Sequence, residues 1–376
     1  MPSSALLLGS LLLACTGDDP DGGDGVVAGI AALGGGSGDL GAVRVTTIST
    51  DDDGLDLPRA LAFDPEVADR LWVVNRGDDG ATIISGAGTD AQEALHIVDP
   101  YAMHFMEEVS SIAFGQPGTF GTCQESRNTY NGQYAPNDFM GPTLWSSDLD
   151  VYGSSNPDAV DYLTDLYGFP VDLGSHLDMQ HESPLCVGIA WERDNRYWVF
   201  DGQEGSIDMV DFHEDHGVGF DDHSDGETAT YVSGELSRVE DVPGHLALDL
   251  ETSLLYIADT GNGRIAVLDT ASGTRGEDRR LTEPGTQHYE VDGAELWTLV
   301  DGLDQPSGLF LHQGVLYLTE HGAGMIRAYD LEGQELDALD PGLEPGALMG
   351  ITARGPDDLW LVDAVQDQVL RLQPAE

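Results

Sequence analysis

The densest group of metal-binding side chain types lies between residues 176 and 186. The run His176-Leu-Asp-Met179-Gln-His181-Glu-Ser-Pro-Leu-Cys186 places two histidines, a methionine and a cysteine within eleven residues. Imidazole nitrogens together with thioether or thiolate sulfurs form a soft ligand set that suits copper or zinc. His104 and His245 occupy comparable places in the repeats described below. The sequence therefore predicts a copper or zinc site built from His104, His176, Met179, His181, Cys186 and His245, with Cys123 as a further ligand.

The cysteines have a second interpretation. The chain contains three, and Cys15 is assigned to lipidation below, which leaves Cys123 and Cys186 as a pair. Outside the reducing cytoplasm, such a pair readily forms a disulfide. From the sequence alone, a Cys123–Cys186 disulfide and free or metal-bound thiols both remain open.

A second group of ionisable side chains extends from Asp211 to Glu227. It combines carboxylates and glycines with His213, His216 and His223. Carboxylate oxygens are the ligands that calcium prefers, but the spacing lacks the ligand order of the twelve-residue calcium loop. We therefore expect a solvated acidic loop and rank calcium below copper or zinc.

A repeated sequence motif must position these groups. It consists of an apolar strand, a tight turn and a second strand that ends on an acidic or amide residue in most copies. Its six copies begin at Pro58, Val109, Val187, Pro243, Pro306 and Met349. Repeats of this kind at intervals of about 40–80 residues are typical of propeller blades. The sequence therefore predicts an all-β fold, a six-bladed β-propeller over residues 42–376.

The two ends of this region complement each other. The last repeat has only three strands and finishes with Gln368-Val-Leu-Arg-Leu372, while Ala42–Ser49 alternates apolar and polar residues and belongs to no blade. An unpaired strand edge invites association with other chains. We therefore expect the N-terminal strand to pair with the last blade and to close the ring.

The fourth repeat resembles a known family. The segment from Tyr256 to Asp269, Tyr-Ile-Ala-Asp-Thr-Gly-Asn-Gly-Arg-Ile-Ala-Val-Leu-Asp, is similar to the NHL-repeat consensus over two strands. The resemblance implies an NHL-type propeller, a fold that carries many unrelated functions. It also implies a structural role for the acidic residues that end the second strands, which in NHL blades hold the adjacent turn: Asp201, Asp259, Glu320 and Asp363.

Among NHL propellers with known chemistry, the chain is distantly similar to peptidylglycine amidating lyase. Asn75-Arg76-Gly77-Asp78 resembles the arginine motif of that family, and Pro243-Gly-His245-Leu-Ala-Leu resembles one of its zinc motifs. However, Gly244 occupies the zinc position and His245 follows it, and a shift of one residue on a strand turns a side chain to the other face. The matching positions elsewhere also lack histidine: Arg59, Ser110, Val187, Ser307 and Met349. Lyase activity is therefore not carried over, and the candidate catalytic residues are Arg76, Arg59 and Tyr130.

The N-terminus indicates export. Leu12-Leu13-Ala14-Cys15 resembles a bacterial lipobox, and the apolar run before it is too short to cross a bilayer, although Met1–Ser4 lacks the usual basic residue. Residues 1–14 are therefore predicted to be a lipoprotein signal peptide and residues 15–41 a disordered Asp/Gly-rich tether. The chain is expected to be lipid-anchored at the cell envelope.

Charge and motifs limit the function. With 68 acidic residues against 15 arginines and no lysine, the formal charge is −53, which excludes nucleic acid as a partner because binding requires neutralised phosphates. Two classes of function remain. The first is a module that binds a protein, peptide or glycan at the face around the channel mouth. The second is a metal-dependent lyase or oxidoreductase that uses the His/Met/Cys site on blades two to four.

The lipidation hypothesis gives a direct test. Acyl chains on Cys15 would hold the mature protein at the membrane through many buried methylene groups. We expect Cys15→Ser to move the protein from the membrane pellet to the soluble fraction in cell fractionation. Recovery of unmodified wild-type protein from the cytoplasm would contradict the assignment.

Overall fold

Strand β1 (Val43–Ser49) closes a ring of six blades. The chain is described here by a computed structural model that covers residues 29–127, 139–279 and 285–376. Six sheets follow one another around a central channel, as the repeats predict, so the all-β six-bladed propeller is confirmed. We call the face that carries the loops before the inner strands the upper face, and the opposite face the lower face.

Each blade runs from an inner to an outer strand. Blade one contains β2 (Pro58–Phe63), β3 (Leu71–Asn75), β4 (Gly80–Ser85) and β5 (Glu93–Val98). Blade two contains β6 (Val109–Phe114), β7 (Thr119–Gln124), β8 (Thr143–Ser146) and β9 (His176–Met179). Blade three contains β10 (Cys186–Arg193), β11 (Arg196–Asp201), β12 (Ser206–Asp211) and β13 (Glu227–Tyr231). The segment of blade four contains β14 (Leu246–Asp249), β15 (Leu254–Asp259), β16 (Arg264–Asp269), β17 (Thr274–Asp278), β18 (Gln287–Asp292) and β19 (Glu295–Asp301). Blade five contains β20 (Pro306–His312), β21 (Val315–Glu320), β22 (Met325–Asp330) and β23 (Glu335–Leu339). The segment of blade six contains β24 (Leu348–Gly355), β25 (Asp358–Asp363) and β26 (Gln368–Pro374).

Ring closure occurs as the sequence predicts. Strand β1 pairs antiparallel with β26, in a register that sets Val43 opposite Pro374 and Thr47 opposite Leu370. It thereby becomes the outermost strand of blade six. The two ends of the chain thus share one sheet, and both must be present for the last blade to have four strands.

The segment that precedes β1 differs from the expected tether. A 3-10 helix at Ala31–Leu33 packs against blades five and six, and its buried side chains join their apolar core. The Asp337 carboxylate accepts hydrogen bonds from the backbone nitrogens of Ile30 and Gly36 at 2.8 Å each. Residues 29–41 are therefore part of the fold, because a few apolar side chains and one buried acceptor offset the flexibility of a glycine-rich sequence.

Blade three is wider than the repeats suggest. Strands β17 and β18 form a hairpin in the insertion between the third and fourth strands of blade four. Strand β18 pairs in parallel with β13, with Glu227 opposite Gln287 and Tyr231 opposite Val291. This pairing covers the outer edge of blade three, which would otherwise expose unpaired backbone groups.

Two α-helices lie near blade two. Helix α1 (Ala102–Phe105) precedes its inner strand, and helix α2 (Pro157–Tyr167) lies in the insertion before β9. Helix α2 begins with Asn156 as N-cap and ends at Gly168, whose φ of 77° suits a residue without a side chain. No helix within the described ranges is long and apolar enough to span a membrane.

The closure predicts a graded effect of N-terminal truncation. Relative to a chain that begins at Gly29, a chain that begins at Ala42 loses the buried Ile30 and Leu33 side chains, each of which contributes about 1.5–3 kcal/mol. A chain that begins at Asp51 also loses β1. We expect the melting temperature to fall by about 5 °C or more at the first step and further at the second, measured by circular dichroism. Equal melting temperatures for all three chains would contradict the pairing.

Candidate functional site

The structure divides the predicted metal ligands among four places. Cys186 forms a disulfide with Cys123 across blades two and three, with Cα atoms 5.2 Å apart. The disulfide alternative therefore describes this structure, and neither sulfur is a thiolate ligand. Met179 is fully buried in the apolar core between blades one and two. His245 lines the central channel, where its Nε2 lies 3.4 Å from the carbonyl oxygen of Ser110.

The other histidines of the predicted set come together beside β9. The rings of His104 and His181 lie 6.1 Å apart between centroids, and His181 lies 5.7 Å from His223. His176 is also 5.7 Å from His223. His223 belongs to the acidic loop, so the sequence analysis did not include it. Four imidazoles from three separate segments thus form one cluster.

The cluster brings together two segments that the sequence presents as separate groups of side chains. Strand β9 has only four residues, which span roughly 13 Å, so its two ends are close together. The loop between β12 and β13 folds along it, and the Gly219 nitrogen donates to the His176 carbonyl oxygen at 2.8 Å. A short outer strand therefore lets loops of both faces meet at the edge of the ring.

Burial keeps the inner imidazoles neutral. Together with neighbouring His181 and His223, it lowers the pKa of His104 to about 3. Burial also holds the pKa of His176 well below its usual value. The His176 ring stacks on Phe105 at 3.7 Å between centroids, and the His181 ring stacks on Phe139 at 3.6 Å. At neutral pH the His104 and His176 rings are therefore uncharged hydrogen-bonding and metal-binding groups.

Three of the histidines line a pocket of about 420 Å³ at the outer edge of blade two. We call it the blade-two pocket. Its walls are mainly aromatic, with a few polar groups. They comprise Tyr101, His104, Phe105, Phe139, Tyr167, Phe169, Pro170, Val171, Asp172, Leu173, His181, Asp221 and His223.

Hydrogen bonds hold the pocket wall that is formed by the end of helix α2 and the residues after it. The Tyr167 hydroxyl donates to the Asp221 carboxylate, and the Asn156 side-chain amide donates to the Val218 carbonyl oxygen at 2.8 Å. These bonds join the blade-two insertion to the loop of blade three. The aromatic residues in and just after helix α2 are the sequence signal that could have located this wall.

The candidate catalytic arginines belong to an ionic network on the upper face. Arg76 Nη2 lies 2.6 Å from Asp241 Oδ1 and 2.9 Å from Glu108 Oε2. Burial raises the pKa of Glu125 to about 7, although its ion pair with Arg238 opposes that shift. Burial lowers the pKa of Arg59 to about 10, and Arg76 adds to the effect. Arg76 thus joins blades one, two and four electrostatically, and Tyr130 lies outside the described residues.

The central channel is a second cavity, with a volume of about 710 Å³. It lies in the lower half, since its lining includes Asp64, Asp69 and Arg354. Large apolar side chains of the inner strands face it: Phe63, Phe114, Trp191, Leu248 and Phe310.

Backbone contacts narrow the upper end of the channel. The Gly244 nitrogen donates to the Val187 carbonyl oxygen, and the His245 nitrogen donates to the Ser307 carbonyl oxygen, each at 3.0 Å. A Cβ atom on Gly188 would lie 2.1 Å from the Gly244 oxygen, so only glycine permits this approach. The channel therefore offers its apolar cavity toward the lower face, away from the mouth at which the sequence placed a ligand.

The acidic residues at the second-strand ends have the structural role that the resemblance implies. Asp201 accepts the backbone nitrogens of Gln203 and Glu204 at 2.7 and 3.0 Å. Asp363 likewise accepts those of Val365 and Gln366, at 3.0 Å each. These carboxylates hold the turns between the second and third strands.

Burial of His245 predicts a pH dependence of stability. Burial lowers its pKa from 6.5 to about 4, so between these values the unfolded chain binds more protons than the folded one. The free energy of unfolding should then fall as the pH decreases from about 6.5 to 4, by about 3 kcal/mol from this group. Denaturant titrations should show that the wild type's free energy of unfolding approaches that of His245→Gln, or falls below it, as the pH decreases over that range. A constant difference would contradict the shift.

Comparison with known proteins supports the fold. Neither a protein-family model nor a curated protein sequence matches the chain. Among solved structures, an auxiliary nutrient binding protein from Bacteroides thetaiotaomicron has a TM-score of 0.52 at 13% identity, over 89% of this chain and 77% of that one. Virginiamycin B lyase from Staphylococcus aureus has a TM-score of 0.50 at 10% identity, over 89% and 99%. The calcium-binding protein regucalcin from Agrobacterium tumefaciens has a TM-score of 0.51 at 9% identity, over 88% and 94%. At such identities the chain shares a propeller fold with these proteins, and the likeness indicates nothing more.

Proposed function

We propose that this chain is an exported, lipid-anchored propeller of the NHL type that binds a neutral glycan in the blade-two pocket. The observation that carries the proposal is the composition of that pocket, in which aromatic rings stand beside a few convergent polar groups. Ligand sites for small molecules typically have this construction. The loops before the inner strands of blades two and three contribute His104 and His181 to the pocket.

The aromatic walls favour a ligand with a flat apolar face. Tyr101, Phe139, Tyr167 and Phe169 line the pocket, and Phe169 is 60% exposed. The apolar face of a sugar ring can pack on such side chains, while its hydroxyl groups can bond to the imidazoles and to Asp221. A peptide segment with an aromatic side chain is the alternative occupant.

Electrostatics disfavours an anionic ligand. The formal charge of the chain is −53, and the Asp221 carboxylate is part of the pocket wall. Negative charge on the ligand would be repelled over distances up to the Debye length, about 8 Å at physiological ionic strength. A neutral glycan meets no such barrier.

The position of the N-terminal segment suits a tethered binding protein. Residues 30–33 pack on blades five and six, whereas the pocket lies at blade two, on the other side of the six-bladed ring. An anchor that precedes this segment would therefore leave the pocket accessible. The auxiliary nutrient binding protein of Bacteroides thetaiotaomicron is a precedent, by its name, for nutrient capture on a related fold.

A metal-dependent enzyme is the second candidate function. His104, His181 and His223 all line the pocket, with ring centroids 6.1 Å apart for His104 and His181 and 5.7 Å apart for His181 and His223, and imidazole nitrogen is a ligand that copper and zinc accept. Copper or zinc held there would support a lyase or oxidoreductase. Metal-dependent turnover that is lost in His104→Ala would favour this candidate over simple binding.

Replacement of Phe169 tests the binding proposal. Phe169→Ala removes a pocket wall from an exposed position, so the fold should be retained. We expect a neutral oligosaccharide identified on a glycan array to bind this variant about tenfold more weakly, a loss of ~1.4 kcal/mol, in isothermal titration calorimetry.

Leu166→Ala is the matched control. Leu166 is 59% exposed and lies near the end of helix α2, three residues before Phe169, but is not part of the pocket wall. The affinity of the Leu166→Ala variant for the same oligosaccharide should equal that of the wild type. The proposal fails if no neutral glycan binds the wild type, or if both variants bind as tightly as it does.

A further inference from the structure

A second potential ligand cluster lies outside the pocket. Carboxylate oxygens of Asp178 and Asp225 and a ring nitrogen of His216 all lie within 4.8 Å of one another. Across residues 29–127, 139–279 and 285–376, these form the one group of three such ligands with this spacing. Asp178 belongs to β9 of blade two, whereas His216 and Asp225 belong to the loop of blade three.

Asp178 provides the observation that points to an ion. Its side chain is fully buried. Oδ1 accepts the backbone nitrogen of Met179 at 2.6 Å and lies 2.7 Å from His223 Nδ1. Oδ2 is buried and has no hydrogen-bond partner among the described residues. A buried carboxylate oxygen without a partner is costly, and a cation is the partner that would compensate it best.

The other two ligands complete a reachable site. His216 Nε2 lies 2.8 Å from Asp225 Oδ1, and both side chains are partly exposed, at 21% and 35%. His216 Nδ1 lies 3.9 Å from Asp222 Oδ2, so further carboxylate oxygen is nearby. An ion could therefore enter from solvent and meet one buried and two partly exposed ligands.

We propose that Asp178, His216 and Asp225 bind a divalent cation, and that the cation is zinc. Two carboxylates and an imidazole give three protein ligands of the types that zinc accepts, with a fourth position for water. Calcium takes six to eight oxygen ligands, and magnesium requires a near-ideal octahedron of oxygens. Imidazole therefore favours zinc over both.

The ion would join two blades. It would link the loop between β12 and β13 to the outer strand of blade two, in addition to the bonds that already connect them. Asp221 and His223 of the same loop line the blade-two pocket. The site would thus stabilise one wall of that pocket, although its existence does not depend on what the pocket binds.

Zinc titration of the metal-free protein tests the site. Protein stripped with a chelator and dialysed should bind one equivalent of zinc by calorimetry, and zinc should raise its melting temperature, because an ion that binds only the folded state stabilises it. Asp178→Asn, His216→Gln and Asp225→Asn should each weaken zinc binding by about 100-fold or more, since even partners outside the ligand set cost 10–100-fold in other zinc proteins. His216 and Asp225 lie on a loop, so these two variants keep the test valid if Asp178→Asn fails to fold.

Matched controls come from the same loop and from the pocket. Glu214→Gln and His213→Gln change exposed neighbours of the same chemical types, and His104→Ala changes the pocket cluster. All three should keep the wild-type stoichiometry and affinity. Zinc binding that survives in the three site variants, or that is lost only in His104→Ala, would overturn the proposal, as would a wild type that binds no zinc. Loss of glycan binding alone would count against the pocket and leave the zinc site standing.

Discussion

The pairing of β1 with β26 is the constraint on which the rest of the molecule depends. Each blade buries its faces only against its neighbours, so a ring that fails to close would expose a strand edge and two blade surfaces. The pairing sets Val43 opposite Pro374 and brings the preceding segment onto blades five and six. With the ring closed, the inner strands are close enough for Gly244 and Val187 to hydrogen-bond across blades. The scaffold is then rigid enough to carry irregular insertions at its edge.

The distinctive features of this chain are all insertions at the outer edge. The insertion of blade four adds β17 and β18 to blade three, and that of blade two contributes helix α2 to the pocket. Both lie between the third and fourth strands, where a longer connection does not disturb the inner core. Function in propellers generally resides in such loops on a rigid support. Here the support is regular, and the proposed pocket and cation site lie where the chain departs from regularity.

The sequence predicts the regular part well and the edge poorly. Six copies of the strand motif and one unassigned strand before Thr50 are sufficient to predict the closed ring, because the alternation of apolar residues and the turn signals are local properties of the sequence. By contrast, the burial of Ile30 and Leu33 depends on an acceptor, Asp337, more than 300 residues away. The meeting of Asp178 with His223 depends on a four-residue outer strand. No local pattern encodes such contacts, so residues that are neighbours in the fold fall into two separate groups in the sequence.

The loop between β12 and β13 is held by blade two as well as by its own blade. Val218 and Gly219 bond to the blade-two insertion and to β9, and His223 lies 2.7 Å from Asp178. The contact between His223 and Asp178 involves a fully buried carboxylate in a chain of charge −53. A buried carboxylate is costly unless hydrogen bonds or positive charge compensate it, and in the described part of the chain the Asp178 carboxylate pairs with imidazole rather than with arginine. This deficit of positive charge is the physical reason for placing a cation between the two blades.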